Sequence, residues 1–170
     1  KEVNILDNNS EISIVSTAMI YFDDEGEWGI SKPVEEPKKQ DFVHGTPFCH
    51  APCMVRREAF ENVNGYTVDN KLLRVEDYHL WFKMYNKGYK GLNIKEPLYK
   101  MYDGRDAFKR RKFRYRLNEA YVRFIGYKML SISLRNYIYV IRPIIVGLLP
   151  ESIYQKLHRK RKQVEKLPIS

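Results

Sequence analysis

Hydrophobic and polar positions along the chain change period several times, and each change marks an element. Lys1 to Leu6 followed by Asp7-Asn8-Asn9-Ser10 reads as the last turns of a helix running into an Asn-rich stop. Ile12 to Phe22 is rich in β-branched residues and partly alternating, which predicts a buried strand. Asp23-Asp24-Glu25-Gly26-Glu27 carries turn chemistry, and Trp28-Gly29-Ile30 begins a return strand. Lys32 to Gln40 combines prolines with alternating charges and predicts an exposed connection or lid.

From Phe42 a broken strand is expected, ending in Cys53-Met54-Val55-Arg56 and leading to a short helix over Arg57–Val63 that Asn64-Gly65 closes. Val75 to Lys87 then has helical period. Asp77, Leu80, Trp81, Met84 and Tyr85 fall on one stripe, and Gly88 is the stop. Leu92–Ile94 and Leu98–Tyr102 flank Glu96-Pro97 and predict two short edge strands, where a proline is tolerated. Asp106 to Leu130 predicts a long basic amphipathic helix with Phe113, Leu117, Ala120, Tyr121, Phe124 and Tyr127 on its apolar face. Tyr137 to Pro150 is apolar but interrupted by Arg142, Pro143 and Gly147, and falls short of the ~20 residues that cross a bilayer.

Composition narrows the class. The chain has 170 residues, 44% hydrophobic, enough to bury a core, so a globular fold is expected and disordered or collagen-like classes are excluded. Its 2 cysteines cannot build a disulfide framework, which fits a reducing compartment. The first residues are polar, without the apolar segment of a leader, and begin inside a helix, so the chain is expected to be part of a longer protein.

Charge adds a second division. The net charge of +9 is concentrated late: residues 106–170 hold 16 Lys and Arg against 4 Asp and Glu, a balance of +12, while residues 1–105 hold 14 against 17, a balance of −3. We therefore expect two regions, residues 1–104 and a basic helical region over residues 105–170. Tyr154 to Lys166 carries Lys156, Arg159, Lys160, Arg161, Lys162 and Lys166, a pattern suited to an anionic membrane surface, with a helical cover for the domain's own apolar surface as the alternative.

Candidate chemistry centres on Val75-Glu76-Asp77-Tyr78-His79-Leu80-Trp81. Carboxylates at a helix N-terminus are favoured in the ionised form by the dipole and the free N–H groups, and Asp77 shares its face with Leu80, Trp81 and Met84, so it can line a pocket as a base. A plain N-terminal cap is the competing reading. Asp23-Asp24-Glu25 reads as turn chemistry rather than a metal site, and Cys49 and Cys53 as small buried thiols, since a zinc site needs about four ligands. His44 lies in the lid-like connection, within reach of a phosphate; His79 is expected on the exposed side of its helix, and His158 belongs to the basic tail.

The order His50-Ala51-Pro52-Cys53-Met54-Val55-Arg56-Arg57, Val63-Asn64-Gly65-Tyr66, Val75-Glu76-Asp77-Tyr78-His79-Leu80-Trp81-Phe82-Lys83-Met84, Gly88 and Glu96-Pro97-Leu98-Tyr99 resembles the C-terminal half of a family 2 glycosyltransferase. The resemblance covers roughly Leu6 to Tyr102. It implies an α/β fold, namely part of a Rossmann-like GT-A domain with a mixed sheet, followed here by basic amphipathic helices. It also implies inverting transfer of a sugar from a nucleotide-sugar donor to a glycan or lipid-linked acceptor in cell-surface polysaccharide synthesis. Asp77 would be the general base with Glu76 beside it, and His50, Trp81, Tyr66 and Arg56 would border the acceptor.

The family's Asp-x-Asp motif, which holds Mg²⁺ or Mn²⁺ against the donor diphosphate, does not occur in this sequence and is expected upstream, so this chain alone is expected to be inactive. The implied setting is bacterial and cytoplasmic, peripheral on the inner face of the cell membrane, and a homo-oligomer is compatible with it. Two other readings stay open. One is a non-catalytic interaction domain. The other is a nucleic-acid module built on Lys109-Arg110-Arg111-Lys112-Phe113-Arg114-Tyr115-Arg116, although no nucleic-acid-binding fold accompanies that run and no nucleic-acid partner is expected.

Overall fold

The computed structural model describes residues 1–104 and 112–150 and, beyond them, Ile153, Leu157, Arg159 and Lys160. The first turn expected for the long basic helix, the first three residues of the Lys109–Arg116 run, His158 and most of the cations of Tyr154–Lys166 lie outside the described residues. The elements are α1 (Glu2–Asn8), β1 (Ile12–Asp23), β2 (Gly26–Ile30), a 3-10 helix over Lys39–His44, β3 (Met54–Val55), α2 (Arg57–Glu61), a 3-10 turn over Asn70–Leu72, α3 (Glu76–Asn86), β4 (Lys90–Tyr102), α4 (Phe113–Met129), a 3-10 helix over Leu134–Val140 and α5 (Arg142–Gly147). This is an α/β fold with a mixed sheet.

β1 is the central strand. Its β-branched run is buried from Ser13 to Met19. β4 pairs with it in parallel along one edge, from Ile12 opposite Lys90 to Phe22 opposite Tyr102. The other edge is shared: β2 pairs antiparallel at Ile20–Asp23 and β3 antiparallel at Ile14–Val15. Loops fill the interval between them, with Ser16 Oγ donating to the Cys49 carbonyl at 2.7 Å and Ser31 Oγ accepting from the Met19 amide at 2.7 Å.

The two short strands expected around Glu96-Pro97 are instead one long edge strand. The ladder absorbs the proline through irregularities on both sides of Pro97, which faces Ala18 while Ile94 faces Thr17 and Tyr99 faces Met19. An edge strand can skip residues in this way because only one side of it is paired. The broken strand expected from Phe42 is reduced to Met54–Val55; Phe42 lies in a 3-10 helix and is fully buried.

α3 is enclosed almost all round. Leu80, Trp81, Met84 and Tyr85 are buried as their stripe predicts, and Tyr78 and Phe82 are buried on the opposite side. His79, expected at the surface, is also buried, and desolvation lowers its pKa. The cover comes from α4, where Gly126 lies so close to Phe82 that a Cβ there would come within 2.3 Å of the ring. Val122, Tyr127, Leu130 and Ile132 belong to the same core as α3, so a single core runs across the boundary expected near residue 104.

The face of α4 that is buried differs from the expected one. Phe113, Leu117, Tyr121 and Phe124 are 43%, 46%, 36% and 51% exposed, whereas Asn118, Val122, Arg123 and Gly126 turn inward with Ala120 and Tyr127. The inward polar groups find partners in loop carbonyls and Glu119, apart from Arg123 Nε. Asn118 donates to the carbonyls of Asn70 and Leu73. Arg123 donates to the Val43 carbonyl at 3.0 Å and to Glu119 at 3.1 Å.

The connection expected to be a lid is anchored at several points. Asn93 donates to the Val34 carbonyl and Tyr85 to that of Pro37, and the chain that follows the connection is held in the same way, Tyr78 donating to Phe42, Tyr127 to Val43 and Asn93 to Pro47. Each bond gives a carbonyl outside the sheet a side-chain donor.

Candidate active site

The interval on the β1 edge between β2 and β3 opens into a cleft of about 840 Å³, large enough for sugar units. Met19, Tyr21, Ile30 and Ser31 form one wall, the loop from His44 to His50 the floor, and Arg116, Glu119, Arg123, Arg142 and Pro143 of the helical region the facing wall. Asp77, at the start of α3, lines it together with His50.

Asp77 is half-buried, and its Oδ1 accepts from the Tyr78 amide at 2.8 Å, as the free N–H groups of a helix start allow. Burial pushes its carboxyl above the usual carboxylate range; the Tyr78 amide and His50 oppose this rise, and the Glu76 charge adds to it. Such a carboxylate holds a proton more tightly than one in water and is to that extent a stronger base.

The other expected site residues divide. His50 is exposed, with Nε2 3.4 Å from the Tyr66 hydroxyl, and the burial of Tyr66 together with the nearby Asp77 raises the phenol pKa. Tyr66 and the half-buried Glu76 thus stand close to Asp77 without lining the cleft. Trp81 cannot offer a sugar its ring face: it is 1% exposed, behind His50, with ring centroids 6.0 Å apart, and edge-on to Phe48. Its place on the inward stripe of α3 makes it core. Arg56 also faces away from the cleft. Its guanidinium donates to the carbonyls of Leu6, Asn9 and Ile12, the Ile12 bond at 2.8 Å, and so holds the end of α1 against the start of β1.

The cleft contains residues that the sequence pattern did not assign to it. Arg116, Glu119 and Arg123 recur at helical spacing on α4 and are joined by ion pairs of 3.1 Å, and Arg142 opens α5. Counting only full charges, the lining carries Lys32, Arg116, Arg123 and Arg142 against Asp77 and Glu119, with His44 and His50 besides. The signal was present as a charged stripe at i, i+3 and i+7, but the basic helix suggested a solvated or membrane-facing surface instead.

No group of three or more His, Cys, Asp or Glu among the described residues could hold a metal ion. The carboxylates of the hairpin are engaged: Asp23 accepts from the Glu25 amide and pairs with Arg159 at 2.5 Å, and Asp24 accepts from the Tyr102 hydroxyl. Cys49 and Cys53 form no disulfide and are half-buried rather than fully buried, and burial pushes the Cys53 thiol up, away from the thiolate. The donor set therefore does not fit a divalent cation.

The chain is 34% identical to EpsE of Bacillus subtilis (strain 168), a protein named as a glycosyltransferase, over 95% of its own length and 58% of the relative. It is 23% identical to the amylovoran biosynthesis glycosyltransferase AmsE of Erwinia amylovora, over 94% of its own length and 60% of the relative. The chain thus spans about three fifths of the curated relatives it matches. The similarity to glycosyltransferases extends past the motifs and takes in the helical region. No family model matches, and no solved structure matches significantly.

Proposed function

We propose that this chain is the acceptor-side part of an inverting family 2 glycosyltransferase of the GT-A fold, which in the complete protein transfers a sugar from a nucleotide-sugar donor to a glycan or lipid-linked acceptor in polysaccharide synthesis. The observation that carries the reading is Asp77: a desolvated carboxylate of raised basicity, beside His50, on the wall of a cleft large enough for a saccharide.

In this reading Asp77 takes the proton from an acceptor hydroxyl, whose oxygen forms a bond to the anomeric carbon of the donor sugar. The bond from that carbon to the diphosphate breaks on the opposite face, and the nucleoside diphosphate leaves with inversion. A sugar hydroxyl is a weak nucleophile, so removing its proton as the bond forms is worth about 10²–10⁴-fold. His50 favours the ionised base, and Glu76 raises its proton affinity. The cationic excess of the facing wall suits a phosphate-bearing substrate.

The Mg²⁺ or Mn²⁺ that the resemblance implies supplies charge neutralisation of the leaving diphosphate. The described residues offer it no ligand set, so we assign it, with the Asp-x-Asp motif, to the part of the complete protein that this chain does not contain. The same reading puts the enzyme on the cytoplasmic face of the cell membrane, attached peripherally through its basic helical region.

The test is turnover of the complete protein with nucleotide sugar and acceptor, read as nucleoside diphosphate release and glycan product. Asp77→Asn should lower kcat by about 10²-fold or more with donor binding nearly unchanged. An unaltered kcat would remove Asp77 from the chemistry.

A further inference from the structure

Leu134, Ile138, Ile141, Ile145 and Leu148 recur at spacings of four and three through the last 3-10 helix and α5, and they are 83%, 70%, 52%, 58% and 72% exposed. Ile141 follows Ile138 by one 3-10 turn, and Ile145 and Leu148 follow at α-helical spacing, so these four lie along one side of the segment with Leu134 flanking them. The opposite side of the same segment is in use: Tyr137 and Val140 pack on the core, Pro143 is buried, and Val146 and Leu149 line the cleft. Folding of the described residues therefore leaves an aligned row of large aliphatic side chains in water, beyond the scattered apolar exposure normal for a protein surface.

The charges around this row select what covers it. Between Glu119 and Glu151 the sequence has no acidic residue, while Lys128, Arg135 and Arg142 are cationic and exposed, the last two within the row's own segment. A second copy packed along the row would bring like charges together, which seams between helices avoid by pairing opposite ones. An anionic leaflet complements both features, taking aliphatic side chains below the headgroups and holding the cations at them. No described helix is long and apolar enough to cross a membrane, so the segment would lie in the interface plane.

We propose that the row Leu134–Ile138–Ile141–Ile145–Leu148 is the surface that seats the protein on an anionic phospholipid bilayer. The inference rests on the peripheral membrane reading above and names the face responsible. Because α5 and the Leu148 that caps it contribute Ile145 and Leu148 to the row, and α5 contributes Pro143 and Val146 to the cleft, seating the row brings the cleft mouth beside the headgroups. An acceptor anchored in the leaflet then reaches the Asp77 cleft without leaving the membrane surface.

The experiment is co-sedimentation of the complete protein with vesicles of phosphatidylcholine mixed with phosphatidylglycerol, and with phosphatidylcholine alone. The unaltered protein and Asp77→Asn should both pellet with the mixed vesicles and much less with the neutral ones. The combined variant Ile138→Ser, Ile145→Ser and Leu148→Ser should bind the mixed vesicles about tenfold or more weakly, with an unchanged circular dichroism spectrum. In a separate protein, Ile145→Trp should shift its emission to shorter wavelength when mixed vesicles are added, a readout that survives if the triple variant folds poorly. Failure of the unaltered protein to bind would sink the membrane reading as a whole. Normal binding by the triple variant, or an unmoved Ile145→Trp emission, would overturn this face alone. A triple variant that changes from dimer to monomer while keeping its vesicle binding would give the row to a second copy and overturn the proposal.

Discussion

His50 Nε2 stands 3.4 Å from the hydroxyl of Tyr66, joining the cleft floor to the turn that follows α2 directly beside Asp77. The turn itself depends on left-handed backbone at Asn64 and Gly65, with φ of 55° and 51°, and the ring of Phe60 would clash with any side chain at Gly65. Sequence-local turn chemistry therefore sets where Tyr66, and through it His50, meets the base.

The imidazole beside Asp77 predicts a pH effect. His50 lowers the proton affinity of Asp77, so replacing it removes support for the ionised carboxylate. In His50→Gln the acid limb of the kcat/KM profile of the complete protein should move to higher pH. Tyr66→Phe, which keeps the imidazole, should leave the limb in place. A His50→Gln profile that overlays the unaltered one would show that the imidazole does not act on the base.

Asp77 also carries a stability consequence with a definite sign. Its pKa is raised in the folded protein above the unfolded value, chiefly by burial, so the folded state binds more protons than the unfolded one between those two values. Stability then falls as pH rises through that window, and the cost persists at neutral pH. Asp77→Asn, which cannot ionise and can still accept from the Tyr78 amide, should melt at a higher temperature than the unaltered protein at pH ~8, with the gap closing on acidification. Thermal unfolding at several pH values checks this, and a gap that widens in acid would contradict the raised pKa.

Trp81 separates a packing role from a binding one. With 1% exposure and its ring edge-on to Phe48, it fills core volume. Trp81→Ala should cost about 3–5 kcal/mol of stability, the usual loss for a large buried aromatic. Trp81→Phe should cost less and leave the KM for acceptor nearly unchanged, whereas a stacking platform would lose acceptor affinity. Urea unfolding and acceptor kinetics on the complete protein separate the two outcomes.

The elements whose period is strong were legible: β1, its hairpin, and α3 with its inward stripe follow from local pattern. Asp77 was legible as a cleft residue because it heads that stripe. What local pattern misjudged depends on long-range packing. Trp81 and Asp77 share a stripe, yet only the first turn of α3 reaches the cleft, and helical period does not reveal where along a helix the core ends. On α4 the apolar residues suggested the buried face, but Arg123 and Asn118 take it instead. The loop carbonyls of Val43, Asn70 and Leu73 need donors there, and those loops are distant in sequence. Arg56 shows the same limitation, since its partners are the carbonyls of Leu6, Asn9 and Ile12, more than 40 positions away.

The contact between α3 and α4 gives the last prediction. A Cβ at Gly126 would stand 2.3 Å from Phe82 Cδ2, and Phe82 is fully buried beneath Phe42, Tyr78 and Tyr127, so its ring has little room to retreat. Glycine inside a helix ordinarily costs ~1 kcal/mol relative to alanine, so intrinsic propensity alone would make Gly126→Ala stabilising. Overpacking a filled core costs about 1–3 kcal/mol, and a contact this short lies at the severe end of that range, so the steric cost prevails. Gly126→Ala should therefore lower the urea midpoint of the complete protein, and adding Phe82→Leu should recover part of the loss by opening space for the methyl group. A stabilised Gly126→Ala would mean that α4 does not approach α3 this closely, and that the cleft wall carrying Arg116 and Glu119 is positioned by other contacts.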